Sequence, residues 1–492
     1  STQETGALTA YKPDAGVVQE TFEEQRIAVA DVKTGKVRSV SPADLYVYDY
    51  DWSPDGKTFA AEAAKGSGTN NYWLAELYRV DAATGQTRSI WKPQLQIACP
   101  RFSPDSRSIA VIHGLMSDEG STGGDVWAVP ADGGAARNLT PGTNWSAHML
   151  FWQPDGDILL TAWVDGGEGV ATIHPADGKL ERRWAGAESL EHFAPASKGE
   201  KTAVILSSFS KPPEASAGAL GEWKALTSLN ANAKRFWGEA KSLRWDSGGR
   251  SVQGWLIYPL GFDATQRYPM ATVVHGGPSS QQGIHWPERW NAVLPSQGYF
   301  VFLPNPRGSY GFGEAFTQGN VKDFGGGDLQ DILSGVDAAL KAAPIDPARL
   351  GIVGWSYGGY MAMWAVTQTN RFAAAVAGAG IASWQSYYGQ NKIDTWMLPF
   401  FGASVYDDPK VYAKSSPMEF IKNVKTPTLV LHGDRDSEVP TPQGYEFWHA
   451  LKVLGVPTQL VIYPNEGHGI RRADHRLDIQ ERTVEWFNKF LK

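Results

Sequence analysis

A serine stands between small residues in a pentapeptide that could present it as a nucleophile. Residues 354–358 read GWSYG, and glycines on either side of a serine are typical of a sharp turn that lifts the serine out of a sheet at the start of a helix. Because this pattern also occurs by chance, its flanks have to support it. Residues 349–353 predict an entering strand and residues 359–367 a departing helix. Ser356 is therefore the candidate nucleophile.

A serine hydroxyl needs a base to take its proton, and the base needs an acid that fixes its tautomer. In α/β-hydrolases the chain order is nucleophile, acid, histidine, with the last two on loops after late strands. Asp436 and His468 each follow an apolar run that predicts such a strand, and glycines flank His468. Asp434 is a second candidate for the acid, but its spacing from the strand fits less well. We predict a catalytic triad of Ser356, Asp436 and His468.

An acyl-transfer site also needs hydrogen-bond donors for the oxyanion of its tetrahedral intermediate. The backbone amides of Gly277 and Tyr357 are the candidates, because one lies in a glycine-rich turn after a predicted strand and the other directly follows the serine. In the first turn, which reads HGGP at residues 275–278, the glycines count for more than the imidazole of His275. His432, at the end of a predicted strand, is interpreted as structural.

Two other motifs do not support a different chemistry. Residues 325–328 read GGGD and lack the Lys-Ser/Thr pair of a phosphate-binding loop, and no histidine pair has the spacing of a zinc protease. Cys99 is the single cysteine, which excludes an internal disulfide and a cysteine-rich zinc site. We expect neither a metal nor another cofactor.

Length and composition indicate a globular chain with more than one domain. The chain has 492 residues, which is more than one hydrophobic core usually organises, with 42% hydrophobic and 20% charged residues. No run of 18 apolar residues predicts a membrane span. The net charge is -7 and the Lys and Arg residues are scattered, so we expect no nucleic-acid partner.

The N-terminal part carries a repeat. The hexapeptides WSPDGK, FSPDSR and WQPDGD begin at residues 52, 102 and 152. A second series of turn signals (DVKTG, DAATG, ADGG and ADG) alternates with them along the chain. Short strands with regular turns at such a period predict a β-propeller, here of four to five blades. The alternative is a β-sandwich whose Asp-Gly hairpins are unrelated.

From about residue 245 the pattern changes to apolar runs that alternate with helical stretches such as residues 328–342 and 474–491. Near-continuous Val, Ile and Leu runs are typical of strands buried on both faces of a parallel sheet. We predict a β-propeller domain over residues 1–240 and an α/β-hydrolase catalytic domain, a mainly parallel sheet with helices on both faces, over residues 241–492.

Five motifs in this order resemble the prolyl oligopeptidase family, and within it the acylaminoacyl peptidases and bacterial dipeptidyl aminopeptidase-like enzymes. They are HGGP at residues 275–278, NPRGSYGFG at 305–313, GWSYGGY at 354–360, HGDRDSEVP at 432–440 and GHG at 467–469. The resemblance implies a serine peptidase that hydrolyses short peptides, with a propeller that restricts entry to the active site. An esterase or acyl-amino hydrolase with the same triad, and an inactive binding module, are the alternatives.

The resemblance also implies substrate-binding residues. An aromatic pocket for the side chain before the scissile bond would include Trp384 and Tyr388. Glu438 stands where relatives commonly carry Arg or Asn, and a carboxylate there would favour a free substrate amino terminus or a basic side chain. The alternative is that Glu438 pairs with Arg435 or Arg307 and never meets substrate.

Propellers of this family usually have more blades than the four to five predicted here. We expect residues upstream of Ser1 to be missing, with a homo-oligomer as the alternative. Two other interpretations stay open: that the missing blades belong to another chain, and that four blades form a complete propeller. A processed amino terminus leads us to favour a periplasmic or secreted location over a cytoplasmic one.

Overall fold

The structure is a computed structural model that describes residues 24–66, 68–196 and 201–492. These residues form two compact units. An α/β unit contains Asn232–Ser309 and Gln318–Lys492, and a β unit contains the described residues up to Ala231 together with Tyr310–Thr317. Residues 1–23, which the sequence analysis assigned to the propeller domain, lie outside the described residues, and the boundary near residue 240 stays a prediction.

The β unit consists of antiparallel meanders, each of which is a propeller blade. The described residues form four four-stranded sheets and one two-stranded sheet, in agreement with the four to five blades predicted. The strands are β1 (Ala28–Ala30) and β2 (Val37–Ser39) in the two-stranded sheet; β3 (Leu45–Trp52), β4 (Thr58–Lys65), β5 (Glu76–Asp81) and β6 (Thr87–Trp91); β7 (Gln96–Phe102), β8 (Ser108–Gly114), β9 (Asp125–Pro130) and β10 (Arg137–Asn138); β11 (Ser146–Trp152), β12 (Ile158–Val164), β13 (Gly167–His174) and β14 (Lys179–Gly186); and β15 (Ser189–Pro195), β16 (Thr202–Ser207), β17 (Glu214–Ala219) and β18 (Glu222–Ala225).

The repeated motifs are the hairpin turns of these blades. In the first four-stranded sheet the SPDG turn joins β3 to β4, and there Asp55 accepts hydrogen bonds from the Ser53 hydroxyl at 2.7 Å and from the backbone amide of Lys57 at 3.1 Å. The DAATG turn joins β5 to β6, and its Asp81 accepts the amides of the next residues. The same two turns at the same two places in successive blades produce the sequence period.

One segment of the C-terminal half belongs to the β unit. In Tyr310–Thr317, the Tyr310 hydroxyl donates to the carbonyl of Ser121 at 2.9 Å, and the amide of Leu115 donates to the Glu314 carboxylate at 2.9 Å. The sequence did not predict this, because the segment lies between two elements of the α/β unit and has no β pattern of its own.

The α/β unit is built on one eight-stranded sheet in the order β19-β20-β22-β21-β23-β24-β25-β26. Its strands are β19 (Ala240–Ser247), β20 (Arg250–Ile257), β21 (Tyr268–Val274), β22 (Phe300–Asn305), β23 (Ile345–Trp355), β24 (Ala374–Gly378), β25 (Thr428–Gly433) and β26 (Thr458–Tyr463). The α-helices are α1 (Trp290–Ser296), α3 (Gly327–Ala342), α4 (Tyr357–Gln368), α5 (Trp384–Tyr388), α6 (Met397–Phe401), α7 (Pro409–Ala413), α8 (Pro442–Val453) and α9 (Ala473–Leu491), with α2 (Glu314–Thr317) in the segment that joins the β unit.

The sheet brings the predicted site residues to one edge. Strands β22, β21, β23, β24, β25 and β26 pair in parallel, so their carboxyl ends lie on the same side, where open α/β sheets bind their ligands. The loops that follow β21, β23, β25 and β26 carry the HGGP motif, Ser356, Asp436 and His468. Every apolar run predicted as a strand in this half, and the helices predicted at residues 328–342, 359–367 and 474–491, are present.

Candidate active site

Ser356 lies in the turn between β23 and α4. Its backbone angles are φ 60 and ψ -123, in a region that non-glycine residues seldom occupy and that costs about 1–3 kcal/mol. The glycines beside it are required by close packing, because a Cβ at Gly358 would come within 2.2 Å of the Val274 carbonyl oxygen. The turn thus holds the serine at the carboxyl edge of the sheet, half-buried and at the amino terminus of a helix.

The structure brings His468 and Asp436 together. Nδ1 of His468 lies 2.7 Å from Oδ2 of Asp436, and both side chains are buried. The other carboxylate oxygen, Oδ1, accepts the backbone amides of Glu438 at 3.0 Å and Val439 at 2.8 Å. Asp434, the alternative acid, is exposed. The geometry therefore favours Asp436 as the group that orients the imidazole, because a fixed carboxylate on Nδ1 leaves Nε2 as the basic nitrogen.

Backbone contacts join the three loops that carry these residues. Trp355, which precedes the serine, donates its indole N–H to the carbonyl of His468 at 2.8 Å. The amide of Arg435 donates to the carbonyl of Glu466 at 2.9 Å, which ties the acid loop to the histidine loop. The positions of the serine, histidine and aspartate are thus fixed by hydrogen bonds between their loops as well as by the sheet.

Glu466 fixes the histidine loop from within. Its buried carboxylate accepts the amides of Arg471 at 2.9 Å and Arg472 at 3.1 Å and contacts Nδ1 of His475 on α9 at 2.7 Å. Burial alone would raise the pKa of Glu466, but the hydrogen bonds from Arg471, His475 and Arg472 outweigh it and lower the pKa. An ionised Glu466 therefore closes the loop that carries His468 onto α9.

The two predicted oxyanion donors are placed near the serine. Gly277 has φ 114, which favours glycine. A Cβ at its neighbour Gly276 would lie 3.4 Å from Cβ of Ser356, so this turn packs against the nucleophile. Tyr357 is the first residue of α4, and the amide at this position has no acceptor within its own helix. Both amides belong to backbone that the fold holds in place, as an oxyanion site requires.

His275 has a contact that the sequence analysis undervalued. Its Nδ1 lies 2.7 Å from the carbonyl oxygen of Gly276, and its Nε2 lies 2.9 Å from the Ser309 hydroxyl. Burial lowers the pKa of His275, which favours a neutral ring whose Nδ1–H donates to the carbonyl. Since that carbonyl and the amide of Gly277 share one planar peptide group, the imidazole orients the predicted oxyanion donor.

Asp328 contacts Tyr357, the second predicted oxyanion donor. It belongs to the GGGD motif, which lacks the residues of a phosphate-binding loop. The hydroxyl of Tyr357 donates a short hydrogen bond to its Oδ2, and the amide of Leu329 donates to its Oδ1 at 2.8 Å. Burial raises the pKa of Asp328 to about 7. The sequence did not predict this hydrogen bond between Asp328 and Tyr357, because the two residues lie on separate helices, α3 and α4.

Comparison with known proteins places the chain. Residues 286–492 match the model of the prolyl oligopeptidase family. This match supports, over these residues, the family resemblance stated from the sequence. An uncharacterized peptidase of Bacillus subtilis, YuxL, is 38% identical over 251 residues, which are 49% of this chain and 38% of that relative. Dipeptidyl-peptidase 5 of Porphyromonas gingivalis is 28% identical over 466 residues, 91% of this chain and 67% of that relative. The chain thus spans well under two thirds of the first relative's length.

A solved structure has a similar fold. The acylaminoacyl peptidase of Pyrococcus horikoshii superposes with a TM-score of 0.78 over 94% of this chain and 74% of that chain, at 23% identity. At this identity the likeness concerns the fold, a β-propeller followed by an α/β-hydrolase domain. It confirms the fold class predicted from the sequence.

The aromatic residues expected by analogy with the family are packed in the α/β unit. Trp384 is completely buried, with Tyr360 and Phe324 among its ring neighbours at centroid distances of 4.9 and 5.3 Å. Tyr388 is 9% exposed and contacts the ring of Tyr412 at 5.7 Å. The substrate contacts expected of Trp384 and Tyr388 stay predictions.

Glu438 has two interpretations, substrate recognition and an ion pair with Arg435 or Arg307. Its amide donates to the Asp436 carboxylate at 3.0 Å, so Glu438 lies beside the predicted catalytic acid. Arg307, one of its two alternative partners, instead donates from Nε and from a terminal nitrogen to Asp331 at 2.9 and 2.7 Å. A substrate role for Glu438 stays a prediction.

Other chemistries find little support among the described residues. No group of three His, Cys, Asp or Glu side chains in this part of the chain could hold a metal ion. Burial raises the pKa of the Cys99 thiol to about 11, so it is not a thiolate nucleophile near neutral pH. In the same described residues no helix combines the length and apolar character needed to cross a membrane.

Proposed function

We propose that this chain is a serine peptidase that hydrolyses short peptides through an acyl-enzyme on Ser356. The observation that carries the proposal is the 2.7 Å contact between Nδ1 of His468 and Asp436, in loops tied to a serine with φ 60 at a strand-to-helix turn. A buried, oriented imidazole and a strained, half-buried serine at one sheet edge are what acyl transfer needs.

The proposed steps follow from these positions. Nε2 of His468 takes the proton from Ser356 as Oγ attacks the peptide carbonyl, while Asp436 stabilises the imidazolium through Nδ1. The amides of Gly277 and Tyr357 donate to the oxyanion of the tetrahedral intermediate. The imidazolium then protonates the departing amine. A water molecule, deprotonated by the same histidine, cleaves the acyl-enzyme and restores Ser356.

The choice of peptides over esters has two supports. The chain carries a β-propeller, which a simple esterase does not need, and its relatives include a dipeptidyl-peptidase and a peptidase named for acylaminoacyl substrates. Because the same triad serves both leaving groups, the esterase or acyl-amino hydrolase remains the second candidate. We further propose that Glu438, close to the catalytic acid, favours a free substrate amino terminus.

A substrate panel tests this function. We expect purified wild type to hydrolyse dipeptidyl anilides with a higher kcat/KM than N-acylated aminoacyl anilides, and to prefer both over short-chain nitrophenyl esters. Ser356→Ala removes turnover of all three, and Ser334→Ala, at a half-buried serine on α3, removes none. Activity on esters alone would favour the esterase, a preference for acylated anilides would indicate an acylaminoacyl peptidase, and no turnover by wild type would contradict an enzymatic role.

A further inference from the structure

A second histidine contacts the loop of the catalytic acid. His432, at the end of β25, is completely buried. Its Nε2 lies 2.6 Å from the carbonyl oxygen of Val439 and 3.6 Å from Oδ2 of Asp436. Oδ2 is also the atom that His468 contacts. Two imidazoles, one on strand β25 and one on the loop after β26, therefore lie near the same carboxylate oxygen of Asp436.

The distances fix which nitrogen of His432 carries the hydrogen. A contact of 2.6 Å to a carbonyl oxygen requires a donor, so Nε2 is protonated. Nδ1 is buried and has no hydrogen-bond partner among the described residues, which suits the lone-pair nitrogen of a neutral ring. Burial lowers the pKa of His432, which also favours the neutral ring. The ring is thus a fixed neutral donor with its N–H directed at the acid loop.

Val439 is held from both sides by this arrangement. Its amide donates to Oδ1 of Asp436 at 2.8 Å, and its carbonyl accepts from His432. The carboxylate therefore depends on the position of a peptide segment that His432 anchors to the sheet. Without that donor the Val439 carbonyl would be a buried acceptor with one partner fewer, and the segment would be free to shift.

We propose that His432 is a positioning residue for the catalytic acid. It fixes the turn of residues 436–439 through the carbonyl of Val439, and its N–H adds positive potential near Oδ2 of Asp436. Through Asp436 it sets how firmly the imidazolium of His468 is stabilised during acyl transfer. The inference rests on the proposed function, since it concerns the same triad, and it assigns to His432 a role beyond the structural one that the sequence suggested.

Two substitutions of similar polarity separate this role from packing. In His432→Gln the side-chain amide nitrogen is as many bonds from the backbone as Nε2, so it can still donate to Val439. In His432→Asn it is one bond closer and cannot reach. We expect Asn to lower kcat by on the order of 10-fold to 100-fold with KM within about twofold, and Gln to retain kcat within about fivefold.

The pH profile gives a readout that a packing defect would not change. When the counter-charge of the His468 imidazolium is less well placed, the imidazolium is less stable, so the ascending limb of kcat/KM moves to lower pH in His432→Asn. Thr441→Val is the matched control. It removes the hydrogen bond of 2.7 Å from the Thr441 hydroxyl to the carbonyl of Gly433, but it removes no donor to the turn of residues 436–439. We expect kcat and the pH profile of this variant to stay close to wild type.

Gly444→Ala displaces the ring from the opposite side and serves if His432→Asn does not fold. A Cβ at Gly444 would come within 2.8 Å of Nδ1 of His432, so the imidazole must move, and we expect the kinetic signature of the Asn variant. If the wild type is active, equal kcat values in His432→Asn and His432→Gln would overturn the positioning role. A loss of kcat in Thr441→Val as large as that in His432→Asn would overturn it as well. A wild type without activity would instead contradict the proposed function itself.

Discussion

Asp328 is a buried acid that accepts a hydrogen bond from Tyr357, the residue after Ser356. Replacing Asp328 has a predictable effect on the free energy of unfolding. It is completely buried, and burial raises its pKa from 3.8 to about 7 despite the hydrogen bonds from Tyr357 and the backbone. In Asp328→Asn the side-chain oxygen can still accept from the Tyr357 hydroxyl, but the group can no longer ionise. The NH2 group of the asparagine cannot accept from the Leu329 amide, a loss that acts at every pH. The pH-dependent part of the difference between variant and wild type therefore reports the free energy of burying the carboxylate charge.

The direction follows from proton linkage. Between about pH 4 and pH 7 the folded state holds a proton on Asp328 that the unfolded state has lost, so the free energy of unfolding falls as the pH rises. The shift from 3.8 to about 7 corresponds to about 4 kcal/mol at 1.36 kcal/mol per unit. Part of it is already present at pH 5, and about 2–3 kcal/mol is added between pH 5 and pH 8.

Urea unfolding of the wild type and Asp328→Asn, followed by tryptophan fluorescence at pH 5 and pH 8, measures this difference. We expect the variant to gain about 2–3 kcal/mol relative to the wild type on going from pH 5 to pH 8. Asp337→Asn is the control, because Asp337 lies on the same helix in an exposed ion pair with Arg371 and its loss acts equally at both pH values. An effect of Asp328→Asn that is independent of pH, or that grows more destabilising at pH 8, would refute the reasoning.

Three further predictions concern catalysis. Asp436→Asn lowers kcat by on the order of 10⁴-fold, because an amide does not hold the required tautomer of His468. Asp434→Asn, at an exposed position, changes kcat by less than about threefold. A larger loss in Asp434→Asn than in Asp436→Asn would identify Asp434 as the acid. Trp355→Phe removes the hydrogen bond to the carbonyl of His468 and lowers kcat/KM by about 10-fold, and wild-type kinetics would show that this link is dispensable. Blocking the amino terminus of a good substrate costs the wild type about 1–3 kcal/mol in kcat/KM, and Glu438→Gln reduces this penalty; equal penalties would remove Glu438 from substrate recognition.

The six parallel strands of the α/β unit were predictable because their signals are local. The strand Thr428–Gly433 is buried along its whole length, and its central residues 429–431 are an uninterrupted apolar run that the sequence shows directly. Chain order then predicted that Asp436 and His468 follow neighbouring strands, and the parallel pairing of β25 and β26 puts both residues at one edge. In the β unit the Asp-Gly turns repeat because every blade needs the same hairpins.

The contacts that hold the site together were not predictable in the same way. The bonds from Trp355 to His468, from Tyr357 to Asp328 and from His275 to the Gly276 carbonyl depend on side-chain directions that only the folded sheet defines. The same limit applies to the aromatic residues. Trp384 lies completely buried, and ring type and spacing alone cannot distinguish the wall of a substrate pocket from packed core, so its substrate contact stays a prediction.

Covalent labelling with a fluorophosphonate probe tests the central claim most directly, because the probe reacts only with a serine whose hydroxyl is activated by a base. We expect peptide mapping of the labelled wild type to locate the adduct on Ser356, His468→Ala to abolish labelling nearly completely, and Ser356→Ala to remove it. A stable adduct on another serine, or undiminished labelling of His468→Ala, would contradict the assignment of Ser356 and His468 as nucleophile and base.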